Sequence, residues 1–332
     1  MLRHKMALWF AFIILLFVLW FAGWYAFAGF ANDKVTALIG SLKAKNIEIE
    51  CDGQDIVGFP FRVGLFCKNT SVDDRVHGYQ FSTNEIRSAA QFYAPRENII
   101  EVKSPFLFDS GNLSLDAEWS LMRLFVHVKE PGFDLLSTNF RTVAGTVNGN
   151  AFQIESGNVH LRPSPSAPGD LDIAGANKNL SIVIDGQRAN LNTSFDVTAG
   201  GGYQHFIEDR ETLDSYLKPG VTLALRELIL DIENENTSLS LDGTLLIEAD
   251  RSLTGKVNIG LENDEGLARF VSSFNPELGP SVNVLSQGVK LLGQPQQKNG
   301  RDYQVVTLDI NRGRAQLGLF EIGKLPKVPD LR

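Results

Sequence analysis

The sequence predicts a mainly β body of antiparallel, meander-like sheets with a few short helices, held by one N-terminal transmembrane helix. Two observations carry this expectation. Residues 7–30 form an unbroken apolar run, and beyond residue 46 the dominant hydrophobic period is two.

From Ala7 to Phe30 no residue is charged, and Ile, Leu, Phe, Val, Ala and Trp dominate. As a helix, these 24 residues rise about 36 Å at 1.5 Å per residue, enough to cross a hydrocarbon core of about 30 Å with some tilt. Arg3 and Lys5 precede the run and no acid appears before Asp33. The positive-inside rule then leaves residues 1–6 in the cytoplasm and exports the rest. Trp9, Trp20, Trp24 and Tyr25 stand toward the two ends, where amphipathic rings favour the headgroup region. The alternative is a cleavable signal peptide, with Ala26-Phe27-Ala28 as the small-x-small site; the apolar run exceeds the usual length of about 7–15 residues for such a segment. Both readings export the body.

Of 332 residues, about 300 remain outside the membrane, enough for one large domain or two moderate ones. A division at the Pro-rich loop from Pro163 to Pro168 gives a first β-rich part over 31–165 and a second, with short helices, over 166–332. Formal net charge is −8, and setting aside Arg3 and Lys5 leaves 29 basic residues against 39 acidic. Such a body disfavours nucleic acid as a partner and offers no polybasic stretch to anionic lipid. Cys51 and Cys67 are the two cysteines, 16 residues apart. In an oxidising compartment an isolated pair at that spacing reads as a disulfide, and no neighbouring His or further Cys favours a metal instead.

Residues 34–45 place Val35, Leu38, Ile39 and Leu42 at helical spacing, the mark of a short amphipathic helix that either lies just outside the membrane or, the preferred reading, is the first helix of the folded body. Strands then follow. Residues 188–198 alternate Ala189, Leu191, Phe195 and Val197 with Asn190, Asn192, Ser194 and Asp196. The same period recurs at Leu113, Leu115 and Ala117, at Leu180, Ile182 and Ile184, at Leu228, Leu230 and Ile232, and at Val257, Ile259 and Leu261. Antiparallel strands with one apolar and one wet face produce it. Val147-Asn148-Gly149-Asn150 and Asp185-Gly186 suit hairpin turns. Helices are expected over 204–217, 264–274 and 281–292, the second carrying Leu267, Phe270, Val271 and Phe274 on one stripe.

No catalytic, cofactor or metal constellation emerges. His4, His77, His127, His160 and His205 lie far apart, and none has a metal-ligand spacing. His205 and Glu208 are three apart on an expected helix, a geometry more typical of a helix surface than of a metal site without partners. A nucleophile elbow, a phosphate-binding glycine loop and a kinase signature are all missing from the sequence. The expectation is a non-enzyme without cofactor.

The unusual local feature lies between the cysteines. Gly58-Phe59-Pro60-Phe61-Arg62 describes a rigid turn that presents aromatic bulk. It is a candidate docking point for an acyl chain or a partner, or a buried structural corner tied down by the Cys51–Cys67 bridge; the corner is the expected role.

The framework Cys51…Gly58-Phe59-Pro60-Phe61-Arg62…Cys67 resembles an uncharacterised bacterial family, domain of unknown function 2125. Residues 241–262 resemble its β-hairpin, and residues 308–326 its closing strands, with Arg312 where the family usually has Asp before the glycine. The resemblance covers nearly the whole exported body and implies an anchored, periplasm-facing protein of the bacterial inner membrane. It brings no catalytic residues. The sequence therefore predicts a non-catalytic interaction or structural subunit of the envelope, partnered by the membrane and another envelope protein. The alternative is a protein that handles lipid or another hydrophobic ligand along an open strand face, by analogy with anchored β-rich envelope proteins. An envelope hydrolase is the remote third reading.

Overall fold

The computed structural model describes residues 2–184, 186–208, 213–274 and 276–328. It divides into two compact units, Met1–Leu113 and Ser114–Arg332. The dividing point lies well before the Pro163–Pro168 loop, and that loop joins two paired strands. Pro163 stands opposite Leu171 across a ladder, and the Ser164 N–H donates to the Asp170 carbonyl at 2.9 Å.

The first unit opens with α1 (Leu2–Ala44), a single 43-residue helix. The apolar run and the amphipathic stretch at 34–45 are thus one continuous rod, since neither Asn32 nor Asp33 removes a backbone donor as proline would. The helix ends where Asn46 enters the left-handed region at φ 63°. Four antiparallel strands follow as a meander: β1 (Ile47–Val57), β2 (Arg62–Asp74), β3 (Tyr79–Gln91) and β4 (Ala94–Asp109). Disulfide Cys51–Cys67 crosses from β1 to β2. At the far end of the β2–β3 hairpin Asp74, 2% exposed, accepts the backbone N–H groups of Val76 and His77 and faces His77 Nδ1 at 2.7 Å.

The second unit is by itself largely an antiparallel meander. Its elements are β5 (Ser114–Glu118), β6 (Leu121–Lys129), β7 (Gly132–Val147), β8 (Asn150–Pro163), β9 (Leu171–Ile184), β10 (Gln187–Ala199), α2 (Gly202–Ile207) and α3 (Leu213–Leu217). Then come β11 (Val221–Ile232), β12 (Thr237–Ile247), β13 (Leu253–Leu261), α4 (Asp264–Phe274), α5 (Gly279–Leu292), β14 (Gln294–Lys298), β15 (Arg301–Asn311), β16 (Arg314–Leu317) and β17 (Phe320–Lys324). Strands β7 to β13 each pair antiparallel with the next, and β15 adds to β13. The expected turn at 147–150 closes the β7–β8 hairpin with Asn148 at φ 47° and Gly149 at φ 80°, two left-handed residues that match the twist of the flanking strands. Of the 204–217 helix, α2 and α3 cover the ends, while 209–212 lie outside the described residues, as does Asp185 of the second expected turn.

Burial is uneven. Helices α4 and α5 lay Leu267, Phe270, Val271, Val282, Leu285 and Val289 over Val257, Ile259, Leu261, Val306, Leu308 and Ile310, sealing the core of the unit. A smaller core forms under α2, where Tyr203 packs with Phe133, Leu171 and Ala199.

Candidate functional site

Gly58 to Arg62 forms the β1–β2 turn, and it docks on α1. Its tight closure needs Gly58: φ is +115°, and a Cβ there would lie 2.7 Å from the Arg62 carbonyl oxygen. The Arg62 N–H donates to the Gly58 carbonyl at 2.9 Å. Two indoles of α1 satisfy two further carbonyls: Trp20 Nε1 donates to Pro60 O at 3.0 Å and Trp24 Nε1 to Arg62 O at 2.9 Å. The Phe59 ring stands 5.1 Å from Phe21 and 5.4 Å from Trp24, and Phe61 lies 6.2 Å from Trp20.

The neighbouring β3–β4 hairpin joins in. Its two-residue tip is Phe92-Tyr93, between the paired Gln91 and Ala94. Phe92 donates its N–H to Phe61 O at 3.0 Å and sets its ring 5.4 Å from Trp20 and 5.3 Å from Phe27. Farther along the helix, Gln54 of β1 donates to Asn32 Oδ1 at 2.8 Å and to Thr36 Oγ1 at 3.3 Å. Trp24 is only 5% exposed. The turn itself is not a buried corner in the sense the sequence suggested, for Phe59 is 41% and Phe61 64% exposed. Sequence reasoning found the turn but missed Trp20, Trp24 and Phe92 as its partners, because contacts across 30 to 70 residues leave no local pattern.

From these tips an apolar stripe runs up one face of the first sheet. Register places Ile49, Val72, Phe81 and Phe108 side by side, then Thr83 beside Phe106, then Cys67, Ile86 and Val102, then Ser88 and Ile100. Coordinated bulges near Asp52, Asn69 and Asn84 keep these rows on one face. Phe81 stacks on Phe106 at 5.7 Å and Tyr79 on Phe108 at 6.1 Å. From Phe108 to Ile100 the stripe extends about 26 Å at 3.3 Å per residue. Its large residues stay half-buried. In the second unit a row of six half-buried residues crosses six strands, Val126, Leu136, Leu161, Ile173, Val197 and Leu225, of which Leu136, Leu161 and Ile173 pack against the core under α2.

Hollows on the second unit mix charged and amide side chains with apolar ones such as Leu121, Phe140 and Ala176. One, of about 450 Å³, is lined by Arg123, Asn139, Arg141, Asn158, Asn177 and Lys178 among others. The described histidines stay dispersed, with His77 on Asp74, His127 near Asp134, His160 on Ser137 and His205 beside the Tyr216 ring; the His4 side chain lies outside the described residues. Glu208 takes a hydrogen bond from Gln204 rather than meeting His205 at a metal, and no cluster of three metal-ligating side chains occurs among the described residues.

The family model described as an uncharacterized protein conserved in bacteria, DUF2125, matches residues 24–326, from Trp24 of α1 to just past the last strand. No curated protein and no solved structure matches.

Proposed function

The chain belongs to the bacterial DUF2125 family, and from that premise we propose a single-pass, inner-membrane protein that handles acyl chains along its sheet in the periplasm. Helix α1 is long and apolar enough to cross a membrane, and the charge before it favours export of the body. The observation that carries the reading is the half-buried stripe from Ile100 to Phe108. Large apolar residues normally seal against a second layer, as Val257, Leu261 and Leu308 do under α4 and α5. A sheet face that leaves Phe81, Phe106 and Phe108 half-exposed keeps apolar contact area for a ligand of extended, flexible shape. Its length of about 26 Å suits an acyl chain of phospholipid size, and no ionisable group is needed to hold one. No catalytic step is proposed.

The test is photocrosslinking in living cells with a phospholipid bearing a diazirine at the chain terminus. Adducts on Phe81, Ile86 and Phe106 are expected, and should fall several-fold in Phe106→Arg while adducts on α1 persist. Adducts confined to α1 and the adjoining turns would sink the reading.

A second reading, a non-catalytic interaction or structural subunit, is favoured by the hollow around Arg141 and Lys178. Cationic and amide side chains on a pleated surface suit an acidic protein segment better than lipid. Crosslinking that recovers a second envelope protein on Asn158 and Lys178, with none on the stripe, would favour it.

A further inference from the structure

We infer that the two hairpin tips, Phe59-Pro60-Phe61 and Phe92-Tyr93, are immersed in the acyl region of the outer leaflet beside α1, forming a second point of membrane insertion. The inference rests on α1 crossing the bilayer, one part of the functional reading, and not on what the sheet carries.

Depth is the first ground. Gln54 is level with Asn32 and Thr36, just where charge returns to the helix at Asp33 and Lys34. The turn then descends alongside the helix, so that Arg62 is level with Trp24 and Pro60 with Trp20. Ten residues separate Phe30, the end of the uncharged run, from Trp20, a drop of about 15 Å at 1.5 Å per residue. One leaflet's hydrocarbon is about 15 Å deep. Tips held at that level against the uncharged run share its solvent.

Side-chain character is the second ground. The large apolar residues facing outward at this level are Val57, Phe59, Phe61 and Tyr93, exposed by 37%, 41%, 64% and 76%, with Arg62 and Gln91 as exposed polar neighbours. In water such a cluster would be a liability, whereas among acyl chains it is favourable. Backbone polarity is the third. Hydrocarbon tolerates a turn only where its polar groups are paired. Here four of the five carbonyls of Gly58–Arg62 are paired: those of Pro60 and Arg62 take the two indole N–H groups, Gly58 O takes the Arg62 N–H, and Phe61 O takes the Phe92 N–H. Trp20 and Trp24 thus spend their donors on the turn rather than on headgroups. Arg62, exposed and level with Trp24, carries its charge on a long side chain that can snorkel toward the headgroups.

The full chain reconstituted in phosphatidylethanolamine–phosphatidylglycerol vesicles tests this. A nitroxide at Tyr93→Cys, and separately at Phe61→Cys, should collide with oxygen more than with a water-soluble nickel chelate. The same label at Ala11→Cys marks the membrane interior, and at Lys103→Cys it marks water. Both tip labels reporting the aqueous ratio of position 103, while position 11 reports hydrocarbon, would overturn the inference. An aqueous ratio at position 11 would instead remove α1 from the bilayer, overturning the spanning-helix reading and the inference with it. Since labelled variants can misfold, the unmodified chain is checked with an acyl-diazirine phospholipid in the same vesicles. Adducts on Phe61 or Tyr93 support immersion; adducts on α1 with neither tip modified count against it.

Discussion

The indole of Trp24 donates to the carbonyl oxygen of Arg62 at 2.9 Å, tying a helix long and apolar enough to cross a membrane to a β-turn 38 residues later. Because Trp24 is 5% exposed, both ring packing and the hydrogen bond depend on this contact. Trp24→Phe removes the bond but keeps most of the ring, and should cost about 1 kcal/mol. Trp24→Ala also opens a cavity, and should cost about 3–5 kcal/mol. Thermal unfolding of the full chain in nanodiscs would show the two-step loss; equal, small effects would mean that the helix and turn are not coupled.

The Cys51–Cys67 bridge closes a loop of 16 residues. The chain-entropy model assigns such a loop about 3 kcal/mol. A Cys51→Ser, Cys67→Ser double variant should lose that much against denaturant. The same bridge reports topology. Alkylation of intact cells under denaturing, non-reducing quench should find no free thiol if the body faces an oxidising space; two reactive thiols would place it in the cytoplasm.

How far the sequence announced these features depends on whether a signal is local. The run 188–198 lies within β10, and 264–274 coincides with α4, because period two and period 3.6 are properties of short windows. Asn148-Gly149 announced its turn for the same reason. Strands β1 to β4 escaped named assignment. Their bulges near Asp52, Asn69 and Asn84 shift the inward face by one residue, so alternation goes out of phase partway along each strand. The site was half legible. Gly58 to Arg62 stood out by composition, but nothing in Trp20 or Phe92 says that they meet there. Nor does alternation distinguish a face that is sealed, as at Val257, from one left half-exposed, as at Phe81.

Asp74 gives the fold an acid-sensitive corner. Burial opposes its charge, yet the side-chain and backbone hydrogen bonds from His77 prevail and hold its carboxyl below the usual range. A carboxyl with a depressed folded pKa contributes stability that is present above its unfolded value, near 3.9. That stability is lost as pH falls through the lower, folded value. The β2–β3 hairpin should therefore weaken below about pH 4. Asp74→Asn should cost about 1–3 kcal/mol at pH 7 and flatten the acid limb of the stability profile. An unchanged acid limb in the variant would assign the transition to other carboxylates.

Tyr203 closes the second unit's smaller core with a contact that spans 70 residues. Its hydroxyl donates to the Phe133 carbonyl at 2.8 Å and accepts the Phe133 N–H at 3.1 Å, so one atom satisfies both backbone groups at the start of β7. The phenol ring meets Phe133 edge-on at 5.3 Å, and Gly132 leaves room for it, since a Cβ there would come within 2.6 Å of the hydroxyl. Tyr203→Phe keeps the ring and strands two buried backbone groups at once, which should cost about 2–4 kcal/mol. Tyr203→Leu adds the loss of the edge contact and should cost more. Amide hydrogen exchange at Phe133 provides the local readout. Faster exchange there in Tyr203→Phe, with Val257 and Leu308 unchanged beneath α4 and α5, is the expected result. A uniform acceleration would mean that the two cores unfold as one, and that Tyr203 guards the whole unit rather than the mouth of one hairpin.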